Sequence, residues 1–259
     1  METLWSGFLA LVGDIGLNND LLATYGPRFL AGLRLTLLLV ALAMVLGALL
    51  SFPIAMARMS RNPVLRGLAF GYIYFFRGTP LLAQVDLIYN GLGIFLGAHK
   101  SLFEDLGLWW LLRDGFYYAV IAFTLNTAAY QAEILRGGIE ALPRGQTEGG
   151  LALGLHSGQI FRKIILPQAL MVSLRPYGNE LILMLKASSV AALVAVPELM
   201  GVTRLAFSRT FDFQAYMWTA ILYLIMVFAI AHVWNLLEKR LTRHLHRTMP
   251  QTAATAQAH

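Results

Sequence analysis

Four charged side chains lie inside or beside long apolar runs and are the first candidates for chemistry: Arg77, Asp86, Glu180 and Lys186. A charge within an apolar segment of membrane length is costly and usually faces a cavity or a partner. One interpretation is structural pairing, of Arg77 with a carboxylate and of Glu180 with Lys186. The other is a polar path in which the carboxylates favour a cationic ligand. The sequence leaves both interpretations open.

Neighbouring polar residues extend this candidate path. The full set is Asp86, Asn90, Glu133, Asn179, Glu180, Lys186 and Ser188. Our hypothesis is that Asp86 or Glu180 contacts the cationic group of a ligand. Glu133 is an equal candidate, because it lies close to the end of an apolar run.

Nucleophiles and bases do not form a catalytic constellation in this sequence, and a GxxxxGK[ST] phosphate-binding motif is absent. The chain is therefore expected not to be an enzyme or an ATPase by itself, and to bind no cofactor. Cysteine is absent, which excludes disulfides and thiolate metal sites. His244 and His246 could bind a metal, but a solvated basic tail is the better interpretation, so no metal site is predicted.

The composition is that of a membrane protein. Hydrophobic residues make up 58% of the chain and charged residues only 13%, against about 25% charged residues in soluble domains. The net charge of +6 could suggest nucleic acid as a partner. However, the excess of Lys and Arg lies in loops that flank apolar runs, as it does in membrane proteins. The chain is therefore expected to lie in a lipid membrane and not to bind nucleic acid.

The apolar runs predict an all-α integral membrane protein with five transmembrane helices. The expected spans lie at about 29–57, 64–97, 115–137, 171–197 and 213–238. Residues 1–28 are expected to form a periplasmic or interfacial segment, and 241–259 a basic cytoplasmic tail with a disordered end. Most of the 20 Lys and Arg residues fall in alternate loops, which predicts N-out and C-in. The sequence shows neither an internal repeat nor a cleavable signal peptide.

The second span is interrupted by Arg77, Gly78, Thr79 and Pro80. Proline lacks a backbone N–H and disfavours a helical residue before it. A break within a span is tolerated only where protein or water covers it. These four residues are therefore expected to brace the break, or an interface with a partner subunit, beside the polar path.

A polar, Gly-rich and basic island at 133–167 separates two apolar stretches. Glu148 lies where a helix N-terminus would stabilise its charge, and Gly154 suits a turn that needs positive φ. A second short helix with an apolar face is expected to begin near Ser157 and to end or bend at Pro167. The pattern therefore predicts a helix, a turn and a helix.

This island resembles the EAA loop of ABC-importer permeases. The positions that match that motif are Glu148, Gly154, Ile165, Leu166 and Pro167. Gly149 and Gly150 replace its two alanines, and each Gly in place of Ala costs a helix about 1 kcal/mol. The helix is therefore expected to fray or to start after Gly150. In that family the loop is cytoplasmic and docks on the ATPase subunit; the alternative is an interfacial amphipathic helix without a partner.

Three further segments, in the expected order, resemble permeases for polar amino acids, and most closely the subgroup for histidine, lysine, arginine, ornithine and opines. They read RGTPLL, FTLNTAAYQAEILRGGI and GNELILMLKASSVAALVAVPEL. The resemblance implies a type I permease domain at 29–240, in the bacterial inner membrane, that carries a polar amino acid, and the resembled subgroup indicates a basic one. It also implies two ATPase subunits that bind ATP and Mg, and a periplasmic or lipid-anchored amino-acid-binding protein. A second permease chain is implied too, a paralogue rather than a second copy.

Two other classes stay open. An ion- or proton-coupled secondary transporter would use Asp86 and Glu180 as proton carriers, although it would have no need for the loop at 133–167. A membrane scaffold or sensor that does not transport would show no flux of any substrate.

Overall fold

The structure is a computed structural model that describes residues 19–107, 109 and 113–242. Regular structure in this part of the chain is helical throughout. The α-helices are α1 (Asn19–Arg58), α2 (Pro63–Gly78), α3 (Leu81–Ala98), α4 (Lys100–Asp105), α5 (Gly115–Glu140), α6 (Gly145–Ala152), α7 (Ser157–Ile160), α8 (Leu166–Ala187), α9 (Leu199–Thr210) and α10 (Gln214–Leu241). A π-helical turn, Phe161–Ile165, joins α7 to α8, and a 3-10 helix, Ser188–Val194, follows α8.

Helix lengths differ from the predicted pattern of spans. Among the described residues, α1, α3 and α10 are long and apolar enough to cross a membrane, and a bent pair, Ser157–Val194 with Leu199–Thr210, adds a fourth if it counts as one span. The predicted second span is two helices, and α2 has only 16 residues, too few to cross alone. The first helix of the described residues spans Asn19–Arg58, so the described part of the segment predicted at 1–28 is helical.

α5 lies at the centre of the helices. Its most extensive contact is with α1, and it also packs on α2, α3 and α8. Small side chains allow helices to approach closely in a membrane, and α5 buries several alanines completely: Ala119, Ala122, Ala128, Ala129 and Ala132. On α1, a Cβ at Gly47 would lie 2.5 Å from Cγ2 of Thr127. Because α5 is covered by protein, it does not need the uniformly apolar surface of a lipid-facing span.

α10 is packed much less tightly. Large apolar side chains along it are mostly uncovered, including Leu224, Phe228 and Val233 at 69%, 72% and 65% exposure. It contacts α8 through Trp234, whose Nε1 donates to the carbonyl of Leu174 at 3.0 Å. This surface is therefore available to lipid or to another chain.

We expect Gly178→Ala to loosen α10 from α8. A Cβ at Gly178 would lie 2.2 Å from Nε1 of Trp234, so the ring and its hydrogen bond must shift. Overpacking of this kind costs about 1–3 kcal/mol. The measurement is the free energy of unfolding in detergent micelles. Gly71→Ala is the control, because no heavy atom lies within 4 Å of a Cβ there; equal losses in both variants would contradict the prediction.

Candidate functional site

The break between α2 and α3 is held by two buried amides. Gln84 and Asn126 are 2% and 6% exposed. Nε2 of Gln84 donates to the carbonyls of Phe76 at 2.9 Å and Thr79 at 3.1 Å. Asn126 Nδ2 donates to the same Phe76 carbonyl at 3.1 Å and to Gln84 Oε1 at 2.9 Å. Protein therefore supplies the donors that the interrupted helix needs, as the sequence pattern around Pro80 predicts.

Arg77, at the end of α2, packs on an aromatic ring. Its Cζ lies 5.1 Å from the ring centroid of Tyr130. The ion pairs within 4.0 Å that the described residues form do not include it, although its charge acts on Glu180 over a longer distance. The side chain is exposed, as is Gly78 beside it. Pairing of Arg77 with a carboxylate in direct contact is therefore not what holds this residue.

Glu180 is buried at 5% exposure and is bound by neutral groups. Its Oε1 accepts from Thr127 Oγ1 at 2.9 Å, and Thr127 Oγ1 accepts from Gln131 Nε2 at 3.1 Å. Gln131 also donates to the Met44 carbonyl at 3.2 Å. Lys186 does not pair with Glu180 in the structure, because residues six apart lie about 120° apart around a helix.

The remaining members of the candidate path lie on α3, on α8 and in the 3-10 helix that follows α8. Asp86 and Asn90 lie on exposed α3, where Asn90 Nδ2 donates to Asp86 Oδ1 at 2.8 Å. Asn179 and Lys186 are exposed on α8. Ser188 is fully buried and donates to the Leu185 carbonyl at 2.7 Å. Their common role in a ligand path stays a prediction.

Glu133 belongs to a cluster of ions at the end of α5. Its Oε2 accepts from Arg136 Nη2 at 2.7 Å and Nε at 3.0 Å. Arg136 Nη1 also donates to Glu140 at 2.5 Å. Arg58, at the end of α1, brings Nε to 3.8 Å from Glu133 Oε1. Arg58 Nε and Glu133 Oε1 are both buried, and neither has a hydrogen bond within the described structure.

Glu198 is a buried carboxylate that sequence analysis missed. It is completely buried and caps α9, because its Oε1 accepts from the Gly201 N–H at 2.9 Å. Its Oε2 accepts from Tyr223 OH at 3.0 Å and Thr36 Oγ1 at 3.2 Å. One side chain thus joins α1, α9 and α10. The available signal was an acidic residue at a helix start, directly after a proline.

The glycines of the island at 133–167 have distinct roles. α6 begins at Gly145 and includes both Gly149 and Gly150, so the expected start after Gly150 is wrong. Packing explains the glycine at position 150, since a Cβ there would lie 2.8 Å from Cγ1 of Ile160 on α7. Gly154 has φ of 75°, which confirms the predicted turn.

The helix that begins in the second half of the island continues further along the chain than predicted. α7 begins at Ser157, as expected, and His156 caps it with a reciprocal bond to Gln159. Pro167 does not end this helix, because the chain stays helical to Ala187. The π-helical turn lies directly before Pro167, and Leu166 N–H bonds to the Phe161 carbonyl. Ile165 and Leu166 are therefore continuous with the long helix α8.

Residues 47–247 match the family of binding-protein-dependent transport system inner membrane components. The chain belongs to this family. It is 35% identical to the nopaline transport system permease protein NocM of Agrobacterium fabrum, over 89% of this chain and 94% of that protein. The octopine permease OccM of Rhizobium meliloti is 40% identical, over 81% of this chain and 84% of its own length.

Two further comparisons concern basic amino acids and the fold. The histidine/lysine/arginine/ornithine permease HisM of Escherichia coli K12 is 35% identical, over 88% of this chain and 94% of its own length. A solved amino acid ABC transporter with histidines is 34% identical, with a TM-score of 0.73, over 85% of this chain and 96% of that chain. The MetNI methionine transporter, at 17% identity and a TM-score of 0.70, shares the fold. The permease is therefore an all-helical ABC importer component.

We expect Glu198→Gln to destabilise the permease. The amide replaces one acceptor oxygen with a donor, so at least one of the three bound donors loses its partner. A buried polar group left unsatisfied costs about 1–3 kcal/mol, which denaturant unfolding in micelles would measure. The matched control is Glu104→Gln, because Glu104 is exposed and pairs only at the surface with Lys100. Equal free energies of unfolding in the two variants would show that Glu198 does not hold the three helices together.

Proposed function

We propose that this chain is the permease subunit of an ATP-driven importer of polar amino acids, with basic amino acids or opines as the substrate class. The observation that carries the proposal is 35–40% identity, across more than four fifths of the chain, to permeases named for nopaline, octopine and basic amino acids. The chain itself catalyses no covalent step. It forms part of the translocation path in the bacterial inner membrane.

Five spans, with N-out and C-in, complete this proposal. α2 and α3 together would cross the membrane as one broken span, and α5 would cross at the centre of the protein. The polarity of α5 supports a protein-covered position, since charged and amide groups in lipid are costly. The positive charges that flank the apolar helices support the orientation.

The loop that contains α6 is proposed to couple the permease to an ATPase subunit. α6 is exposed apart from Gly150, and Leu151 and Leu153 are 54% and 80% exposed. Such apolar side chains on a loop that otherwise faces water favour contact with a groove of another protein. Glu148, in the first turn of α6, would supply a negative charge beside this contact.

The working complex would contain two ATPase subunits that bind ATP and Mg, and a second permease chain, a paralogue rather than a second copy. A periplasmic or lipid-anchored binding protein would deliver the amino acid from outside. Closure of the ATPases would move the α6 loop and switch the path between its two openings. The exposed apolar surface of α10 would face lipid or the second permease.

The carboxylates at membrane depth are proposed to influence selectivity. Asp86 is exposed on α3, whereas Glu180 is buried and bound by Thr127. We expect Asp86→Asn and Glu180→Gln to lower uptake of arginine relative to glutamine, because a negative charge favours the cationic side chain. Competition between the two labelled amino acids measures this ratio. An unchanged ratio in both variants would exclude the carboxylates from selectivity.

The proposed function is tested by uptake of labelled arginine into proteoliposomes that hold the whole complex with its binding protein. We expect uptake with ATP on the ATPase side and none with a proton gradient alone. Glu148→Lys should abolish uptake, because it reverses a charge on the coupling helix, while Glu148→Gln should retain part of it. Uptake driven by the gradient alone would establish the secondary-transporter alternative instead.

A further inference from the structure

The connection between α8 and α9, residues 188–198, has an irregular backbone. It begins with the 3-10 helix Ser188–Val194, which has seven residues, whereas 3-10 runs longer than three or four residues are uncommon. Ala195 then adopts the left-handed region, with φ of 58°, which is sterically disfavoured for a residue with a Cβ. Strained backbone persists only where the surroundings hold it, and it clusters at switch regions. We therefore asked what holds the α8–α9 connection.

Two glycines let other backbone segments pack directly on the connection. A Cβ at Gly115, at the start of α5, would lie 2.0 Å from the carbonyl oxygen of Val194. A Cβ at Gly201, on α9, would lie 2.3 Å from the carbonyl oxygen of Val196. Val194 and Val196 themselves are almost completely buried. The disfavoured conformation at Ala195 is thus held by tight packing on both sides.

The α8–α9 connection lies beyond one end of a cleft between α2, α5 and α8. The two parts of this cleft have volumes of about 310 and 470 Å³, and they extend to Arg58 and Gly137 near the ends of α1 and α5. In the other direction, Tyr89 lies about 12 Å along α3 from its start, and its ring is 3.7 Å from a Cβ built at Gly115, where Val194 packs. In the proposed orientation, the cleft faces the cytoplasm and the connection lies on its outer side.

Glu198, the last residue of the connection, ties it to α1 and α10. Its Oε2 accepts from Thr36 Oγ1 on α1 at 3.2 Å and from Tyr223 OH on α10 at 3.0 Å. The Tyr223 hydroxyl also lies 3.5 Å from Ser188 Oγ, at the first residue of the connection. Both donors to Glu198 are side-chain hydroxyls, so these bonds can be released by small side-chain movements that leave every helix intact.

α10 is the element that such a release would free. Of its residues, only Ala215, Thr219 and Met226 are buried. Trp234 holds the cytoplasmic half of α10 to α8. The outer half is tied by Tyr223 and by the hydroxyl contact of Thr219 with Thr203 on α9. A few hydroxyl groups therefore keep the outer half of α10 against the connection.

We propose that Glu198 is the latch of an outer gate. The α8–α9 connection closes the translocation path on the outside, and the bonds from Thr36 and Tyr223 to Glu198 keep it closed. The inference rests on the proposed function, and it assigns to a residue outside the cleft the control of when the path opens outward. Glu198 is thus a positioning residue that does not contact the substrate.

A single cysteine can report the side to which the cleft opens, because the chain has no cysteine of its own. Gly78 lines the cleft, and a Cβ there meets no heavy atom within 4 Å. The nucleotide-free complex that carries Gly78→Cys is treated with a membrane-impermeant thiol reagent, from outside in right-side-out vesicles and from inside in inverted vesicles. The mass of this chain gives both labelling rates, and the ratio of the outside rate to the inside rate is the measured quantity.

We expect Tyr223→Phe to raise this ratio at least about tenfold, the shift that loss of one hydrogen bond to a charged group produces in a two-state equilibrium. A general loosening of the fold would raise both rates and leave the ratio unchanged. Tyr216→Phe is the matched control, because it removes a hydroxyl from the same helix while its ring still packs on Phe207 and Phe213. Thr36→Val, which removes the other donor, is the second variant if Tyr223→Phe fails to fold.

An unchanged ratio in both Tyr223→Phe and Thr36→Val, in complexes that import arginine with ATP, would overturn the latch alone. An equal rise in Tyr216→Phe would also overturn it, because the effect would then not depend on Glu198. Absence of ATP-driven amino-acid uptake in the wild-type complex would overturn the proposed function, and the gate with it. The uptake and labelling measurements therefore separate the two failures.

Discussion

The structure depends on how polar backbone is satisfied at a helix break where water is scarce. The carbonyls of Phe76 and Thr79 are left without helical donors when the chain turns at Pro80, and each unsatisfied group would cost several kcal/mol in lipid. Gln84 and Asn126 supply the donors, and Asn126 does so from α5. α5 must therefore lie beside the break, and this requirement fixes the position of the central helix against α2 and α3.

α5 also binds α1 and α8 through side chains that follow Asn126 in the sequence. Thr127 and Gln131 follow Asn126 and reach Glu180 on α8 and the Met44 carbonyl on α1. Alanines between them allow close approach, and Gly47 is needed where α1 crosses Thr127. The hydrogen bonds specify which helix packs on which, while small side chains allow the close van der Waals packing. Because the hydrogen-bonding and the small side chains both lie on α5, a shift of this helix would disturb its contacts with α1, α2, α3 and α8 at the same time.

Much of this arrangement follows from local patterns in the sequence. The break at Pro80, the start of α7 at Ser157 and the positive φ of Gly154 are all dictated by nearby residues. By contrast, the roles of Glu198 and Gln84 depend on partners that are distant in the chain, such as Thr36 and Asn126. The predicted alternative that α6 starts after Gly150 was wrong, because helix propensity takes no account of a packing contact. Helix propensity disfavours glycine at position 150, but any side chain there would collide with Ile160.

The cleft between α2, α5 and α8, lined by Arg77, Tyr130 and Glu133, is connected to the α6 loop by chain continuity. α5 carries Tyr130 and Glu133 into the cleft and ends at Glu140, five residues before α6 begins at Gly145. α8 lines the other side with Ser173 and is continuous with α7 through the π-helical turn. The contact of Gly150 with Ile160 ties the two arms of the loop together. A displacement of α6 would therefore reach both sides of the cleft, through α5 on one side and through the π-helical turn and α8 on the other.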